Sequence, residues 1–166
     1  MPKTESFDVS TGVDLMEIDN AVNQARKEIS TRFDFKGSVA EIDFDRKTSK
    51  LGLHASDDYK LEAVWQVLQP RLIARKVALA NLKRGEIEPA SGNTVRQAID
   101  ITQAIDQDTA RKIVKFLKEG KYKKVQTAIQ GTEVRVSAPS RDELQGVIQD
   151  LKGEDWGMEL KFGNYR

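Results

Sequence analysis

The chain alternates between two hydrophobic rhythms. "SFDVS" (residues 6–10) repeats every second position and predicts a short strand with Phe7 and Val9 on one face. Leu15, Ile18, Val22, Ala25 and Ile29 then recur at spacings of three and four, which predicts a helix. Asp14 can accept from exposed amides at its start, and Glu17 stands where a capping partner belongs. "SVAEIDFD" and "SKLGLHAS" alternate on either side of "RKT" and predict a hairpin. Leu61, Val64, Leu68 and Leu72 mark a second helix behind Asp57 and Asp58, and Pro70 predicts a kink or a stop near Gln69. "VALANLKR" reads as a closing strand.

The second half repeats this plan. "NTVRQAIDIT" is a strand and "DQDTARKIVKFLKEG" a helix, with Gly120 as its stop. "KVQTAIQ" and "EVRVSA" flank a turn at Gly131. Ser140 and Glu143 form an S-x-x-E capping box ahead of Leu144, Val147, Ile148 and Leu151, and Gly153 ends that helix before "MELKF". Each half therefore reads βαββαβ, an α+β tandem of two ferredoxin-like domains with antiparallel sheets and helices on one face. The expected domains are residues 1–87 and 93–166, joined by "EPASGN" (88–93). Strands 6–10 and 94–102 occupy equivalent places, so their exchange between the sheets stays open.

Parity sorts the strand residues. Phe7, Val9, Ala40, Ile42, Phe44, Leu51, Leu53 and Ala55 should meet the helices. The other face receives Ser6, Asp8, Ser10, Glu41, Asp43, Gly52 and His54, and in the second half Arg96, Asp100, Gln126, Ala128, Glu133, Arg135, Glu159 and Lys161. No aromatic platform for stacked bases stands among them. Their charges can pair across the domains, Arg96, Arg135 and Lys161 meeting Asp8, Glu41 and Asp43. Alternatively the cations hold phosphates in a cleft between domains, since a guanidinium fork suits phosphate oxygens.

Composition removes several function classes. The chain is 39% hydrophobic and 32% charged with net charge +1, which gives no whole-molecule field for nucleic acid or membrane. Without cysteine there is no disulfide frame or thiol nucleophile. The first ten residues lack an apolar signal core and no run approaches the ~20 apolar residues of a span, so a cytoplasmic protein is expected. The lone His54 has no H-E-x-x-H context, and neither a phosphate-binding loop nor a dinucleotide turn occurs. No enzyme activity, cofactor or metal is expected. Polarity is local: Arg111, Lys112, Lys115, Lys118, Lys121, Lys123 and Lys124 face the single acid Glu119, a candidate nucleic-acid patch or a solvated helix face.

"TRFDFKG" (31–37) is the oddest stretch. Read as extended chain, it puts Phe33 and Phe35 together against the first helix and leaves Arg32 and Lys36 outside as part of a phosphate-facing rim. Gly37 would permit a backbone angle closed to other residues.

"SFDVS", "TRFDFKG", "RKIVKFLKEGK", "VQTAIQGTEVRV", "SRDELQGVI" and "LKFGNYR", in this order, resemble the YajQ family of small bacterial proteins over nearly the whole chain. The resemblance implies two ferredoxin-like domains and nucleotide binding without an established enzyme activity. It also implies, for some members, reception of cyclic di-GMP and control of transcription through a partner protein, and for others binding of nucleotides or nucleic acid. The heptad matches the family motif throughout. "NYR" matches at Asn164–Arg166, and the Arg-Asp-acid-Leu-Gln motif matches at Arg141–Gln145. The chain departs at Pro139, where the family usually has a basic residue, and at Thr102 and Ala104, where it tends to have Lys and Gly. The expected nucleotide-binding residues are Arg32, Asp34, Lys36, Arg96, Arg135, Lys161 and Arg166. Two alternatives stay open: an RNA-binding protein using residues 111–124, and an adaptor that uses an apolar patch around Trp156 and Tyr165.

Overall fold

In the computed structural model, which describes residues 4–166, β1 (Glu5–Ser10) leads into α1 (Leu15–Thr31), β2 (Ala40–Asp45), β3 (Lys50–Ala55) and α2 (Asp58–Ala74). There follow β4 (Leu82–Ala90), β5 (Thr94–Ile101), α3 (Gln107–Lys118), β6 (Gln126–Gln130), β7 (Glu133–Ala138), α4 (Arg141–Lys152) and β8 (Lys161–Gly163). The first three positions of the expected 1–87 domain lie outside the described residues. No helix among the described residues is long and apolar enough to cross a membrane.

The chain divides into two compact units. One is continuous, Val13–Thr102; the other joins the segment ending at Gly12 to Gln103–Arg166. Each holds a four-stranded antiparallel sheet, ordered β2-β3-β5-β4 in the continuous unit and β6-β7-β1-β8 in the discontinuous one. The architecture is α+β, two ferredoxin-like units. The first strand of each sequence half sits centrally in the sheet built mainly from the other half. β1 is flanked by β7 and β8, and β5 by β3 and β4.

In the continuous unit Asp14 caps α1 through the Met16 amide at 2.9 Å, and Asp57 caps α2 through the Lys60 amide at 2.7 Å. Their apolar stripes, Ile18, Val22 and Ala25 with Leu61, Leu68 and Leu72, are fully buried against Leu51, Leu53 and Ile99. α2 does not stop at Gln69. Pro70 and Gln66, the residue whose carbonyl Pro70 cannot bond, are both exposed, while buried Leu68 and Leu72 carry the helix on to Ala74. The closing strand starts only at Leu82, after a 3₁₀ turn at Leu79–Asn81. Half of the expected linker is strand: Glu88, Pro89 and Ala90 pair with Arg96, Val95 and Thr94. Ser91–Asn93 is a hairpin turn in which Gly92 and Asn93 have φ of 76° and 59°. Turn chemistry and linker chemistry use the same residues, which is why the sequence pattern does not separate them.

In the discontinuous unit Asp106 caps α3 and Ser140 caps α4. The core joins Phe7 and Val9 to Ile113, Val134, Val136, Val147 and Leu151, all fully buried. The faces follow the expected parity in both sheets. Ile42, Leu51, Leu53 and Ala55 are buried, whereas Glu41, Asp43, Arg96 and Asp100 are exposed on the side away from the helices.

Candidate functional site

The heptad is not a strand. Its first residue ends α1, Arg32 caps that helix, and Phe33–Phe35 form one 3₁₀ turn. A turn with three residues per revolution sends positions i and i+2 to different sides. Phe35 is accordingly 4% exposed while Phe33 is 85% exposed, so the expected packing of both rings is corrected to one. Gly37 does take a positive φ, 73°.

Arg32 and Lys36 line a pocket of about 490 Å³ in the continuous unit, with Arg26, Phe35, Ala40 and Ile42 among its walls. Of its three cations, Arg32 is the one that is ion-paired among the described residues. Arg32 grips Asp34 with two bonds, Nε to Oδ1 at 3.0 Å and Nη2 to Oδ2 at 2.9 Å, and its Nη1 reaches Glu28 at 3.5 Å. The bond from Arg32 holds the Asp34 carboxyl below the usual carboxylate range, and the Arg32 guanidinium is shifted up in turn. Arg26 donates Nε and Nη2 to the Ile42 carbonyl, at 3.1 and 2.6 Å, covering the backbone of an edge strand. Glu41 and Asp43 add negative charge to the wall.

The remaining expected residues separate. Arg96, in β5, stands in register between His54 and Glu88. His54 is held by Glu41 at Nδ1, 3.2 Å, and by Thr94 at Nε2, 2.8 Å. Arg135 donates Nε to Asp8 at 3.0 Å within one sheet, because β1 lies beside β7. Lys161 is exposed opposite Ser10. The structure thus groups Arg32, Asp34 and Lys36 in the continuous unit, and Arg135, Lys161 and Arg166 in the other.

Arg166 belongs to a second pocket, of about 370 Å³, inside the discontinuous unit. The first turn and a half of α4 supplies Arg141, Leu144 and Gln145; β1 supplies Glu5 and Ser6; and the C-terminal strand, here β8 with the segment that continues it beside β1 to the Ser6–Arg166 pair, supplies Tyr165 and Arg166. Ser140 fixes the start of α4 by accepting from the Glu143 amide at 3.2 Å. Arg166 is fixed by a reciprocal backbone pair with Ser6, at 3.0 and 3.1 Å. Tyr165 is 60% exposed, its ring 6.1 Å from that of Phe7. Among the described residues neither the Arg141 nor the Arg166 guanidinium forms an ion pair. The pocket thus combines the Arg141 guanidinium, the Arg166 residue, an accessible aromatic ring and a side-chain amide; Arg166 also acts on Asp8, whose carboxyl it helps to hold below the usual range. Arg141, Gln145 and Tyr165 were absent from the expected set; the signal that marks them is that "SRDELQ" and "NYR" converge here.

The basic run lies on α3 and the loop after it. All seven cations are exposed, and Arg111 contacts Asp108 at 3.5 Å. Lys121 lies 5.3 Å from the Tyr122 ring centre.

Residues 5–166 match the family model described as "Nucleotide-binding protein YajQ-like". The chain belongs to this family. A relative in Desulforamulus reducens, called nucleotide-binding protein, is 46% identical over 100% of this chain and 99% of its own length. One of the same name in Trichlorobacter lovleyi is 47% identical over 97% of this chain and 98% of its own. A third, in Alkaliphilus oremlandii, is 46% identical over the full length of both. The YajQ-like match includes both pockets.

Proposed function

We propose that the protein is a non-catalytic nucleotide-binding protein whose ligand sits in the pocket between α4 and the C-terminal strand. One observation carries this reading: Arg141 and Arg166, neither of them ion-paired among the described residues, line one pocket with an exposed tyrosine and a glutamine side chain, contributed by segments far apart in sequence. The arginines suit phosphate oxygens, the ring suits the face of a base, and the amide offers both a donor and an acceptor to its edge. The relatives' name, nucleotide-binding protein, points the same way. In the other pocket the Arg32 fork is already closed on Asp34, which makes Arg32, Asp34 and Lys36 the weaker phosphate site.

The reading extends to a cytoplasmic sensor of a cyclic dinucleotide that acts through a protein partner, because a phosphodiester carrying purines presents the same two kinds of group. The test is calorimetric titration with GTP, ATP and cyclic di-GMP, repeated on Arg141→Ala and Arg166→Ala. Saturable binding that each substitution weakens supports the site, and undiminished binding in both removes it.

A second reading is favoured by the exposure of all seven cations of the 111–124 run. Attraction to an RNA backbone would be weak and would fall steeply with salt. A short single-stranded RNA titrated at two salt concentrations tests it, with Lys115→Ala/Lys118→Ala as the control.

A further inference from the structure

The C-terminal strand does not run evenly beside β1. Lys161, Phe162 and Gly163 pair with Ser10, Val9 and Asp8, yet Arg166, not Tyr165, makes the reciprocal backbone pair with Ser6. Between these two pairings β1 has one residue, Phe7, and the C-terminal strand has two, Asn164 and Tyr165. That count defines a β-bulge, and Asn164 sits in the left-handed region with φ of 56°, as the first residue of a common bulge type does.

The extra residue decides which face each side chain meets. Phe162 faces the helices beside Phe7, the two rings 5.8 Å apart. Strict alternation would turn Asn164 to the helices as well and Tyr165 to the opposite face. The structure has the reverse. The Asn164 amide donates Nδ2 to Oδ2 of Asp8, on the face away from the helices, while Tyr165 lies with Arg141, Leu144 and Gln145 of α4. Asp8 is 7% exposed, and its other oxygen accepts from Arg135. The anchor for Asn164 is therefore itself fixed within the sheet.

We infer that Asn164, tied to Asp8, is the positioning residue of the nucleotide pocket: its left-handed backbone forms the bulge that turns Tyr165 onto the α4 side, where the ring meets the base. Asn164 acts through Tyr165 and touches no ligand. The inference rests on the nucleotide reading for its ligand, but not for the bulge. Asparagine tolerates the left-handed region, glycine occupies it freely, and a β-branched residue resists it.

The experiment compares Asn164→Gly with Asn164→Val in the full chain, using GTP and cyclic di-GMP as probes. The valine variant is expected to lose about tenfold or more in affinity, and the glycine variant to recover most of it. A merely structural side-chain contact would be lost equally in both. Equal loss in the two variants, or wild-type affinity in the valine variant, overturns the positioning role. Hydrogen exchange at the Ser6 and Arg166 amides reads the bulge without ligand. Protection kept in wild type and glycine variant but lost with valine supports it; protection kept with valine overturns it. If wild type binds neither probe while the exchange pattern holds, the ligand assignment falls and the bulge stands.

Discussion

Arg135 and Asp8, separated by 127 residues in sequence, meet at 3.0 Å on neighbouring strands. The bond holds the Asp8 carboxyl below the usual carboxylate range against the cost of its burial, and Asn164 contributes in the same direction. A depressed carboxylate adds stability that is fully present above the unfolded pKa, about 3.9, and is lost as pH falls through the lower folded value. Asp8→Asn is expected to cost about 1.5–3 kcal/mol at neutral pH. Urea unfolding at a series of pH values checks this: the gap between variant and wild type should narrow on the acid side. A gap constant down to the most acid pH would show that the charge on Asp8 does not contribute.

The two phenylalanines of the heptad should differ sharply. Phe35 is inside the core of the continuous unit, so Phe35→Ala is expected to cost about 3–5 kcal/mol. Phe33→Ala removes an exposed ring and should stay within about 0.5 kcal/mol. Thermal melts of the two variants separate the cases.

How much of this was legible varies with the kind of signal. The faces of β3 were readable because Leu51, Leu53 and Ala55 alternate with Gly52 and His54, and alternation reports which side a residue faces. It does not report which strand lies alongside. "SFDVS" and "TVRQAIDI" therefore fit either sheet, and the pattern does not decide whether Arg135 and Asp8 meet between domains or within one sheet. Phe33 and Phe35 also alternate, but two positions are too few to distinguish a strand from a 3₁₀ turn following a helix end. The pocket at α4 was half visible. Both its motifs could be recognised, yet nothing local to "NYR" shows that one extra residue opposite Phe7 swings Tyr165 toward Arg141.

The contrast between the pockets is itself testable. Because Arg32 is neutralised by Asp34 and Glu28, Arg32→Ala should leave nucleotide affinity unchanged within about twofold, whereas Arg141→Ala loses a charge-assisted contact of about 1.5–3 kcal/mol. Calorimetry on both variants decides. A large loss with Arg32→Ala alone would move the site to the heptad pocket.

Tyr165 should act through its ring. Tyr165→Ala is expected to weaken nucleotide binding by about 1–3 kcal/mol, the range for one base–aromatic stack, and Tyr165→Phe to keep most of the affinity. If the phenylalanine variant falls as far as alanine, the hydroxyl makes the contact and the ring does not stack.

The placing of β1 predicts which fragments fold. Residues 13–102 contain a complete four-stranded sheet, two capped helices and their own core, so this fragment should be monomeric with a cooperative melt. Residues 103–166 lack the central strand of their sheet. Without Phe7 and Val9, both fully buried, β7 and β8 have no strand between them, and two large apolar groups are missing from the core. That fragment should stay unfolded alone and gain structure when a peptide covering residues 1–12 is added, followed by circular dichroism. Folding of 103–166 without the peptide would mean that β7 and β8 can close on each other, and β1 would then be an accessory to this unit instead of its centre.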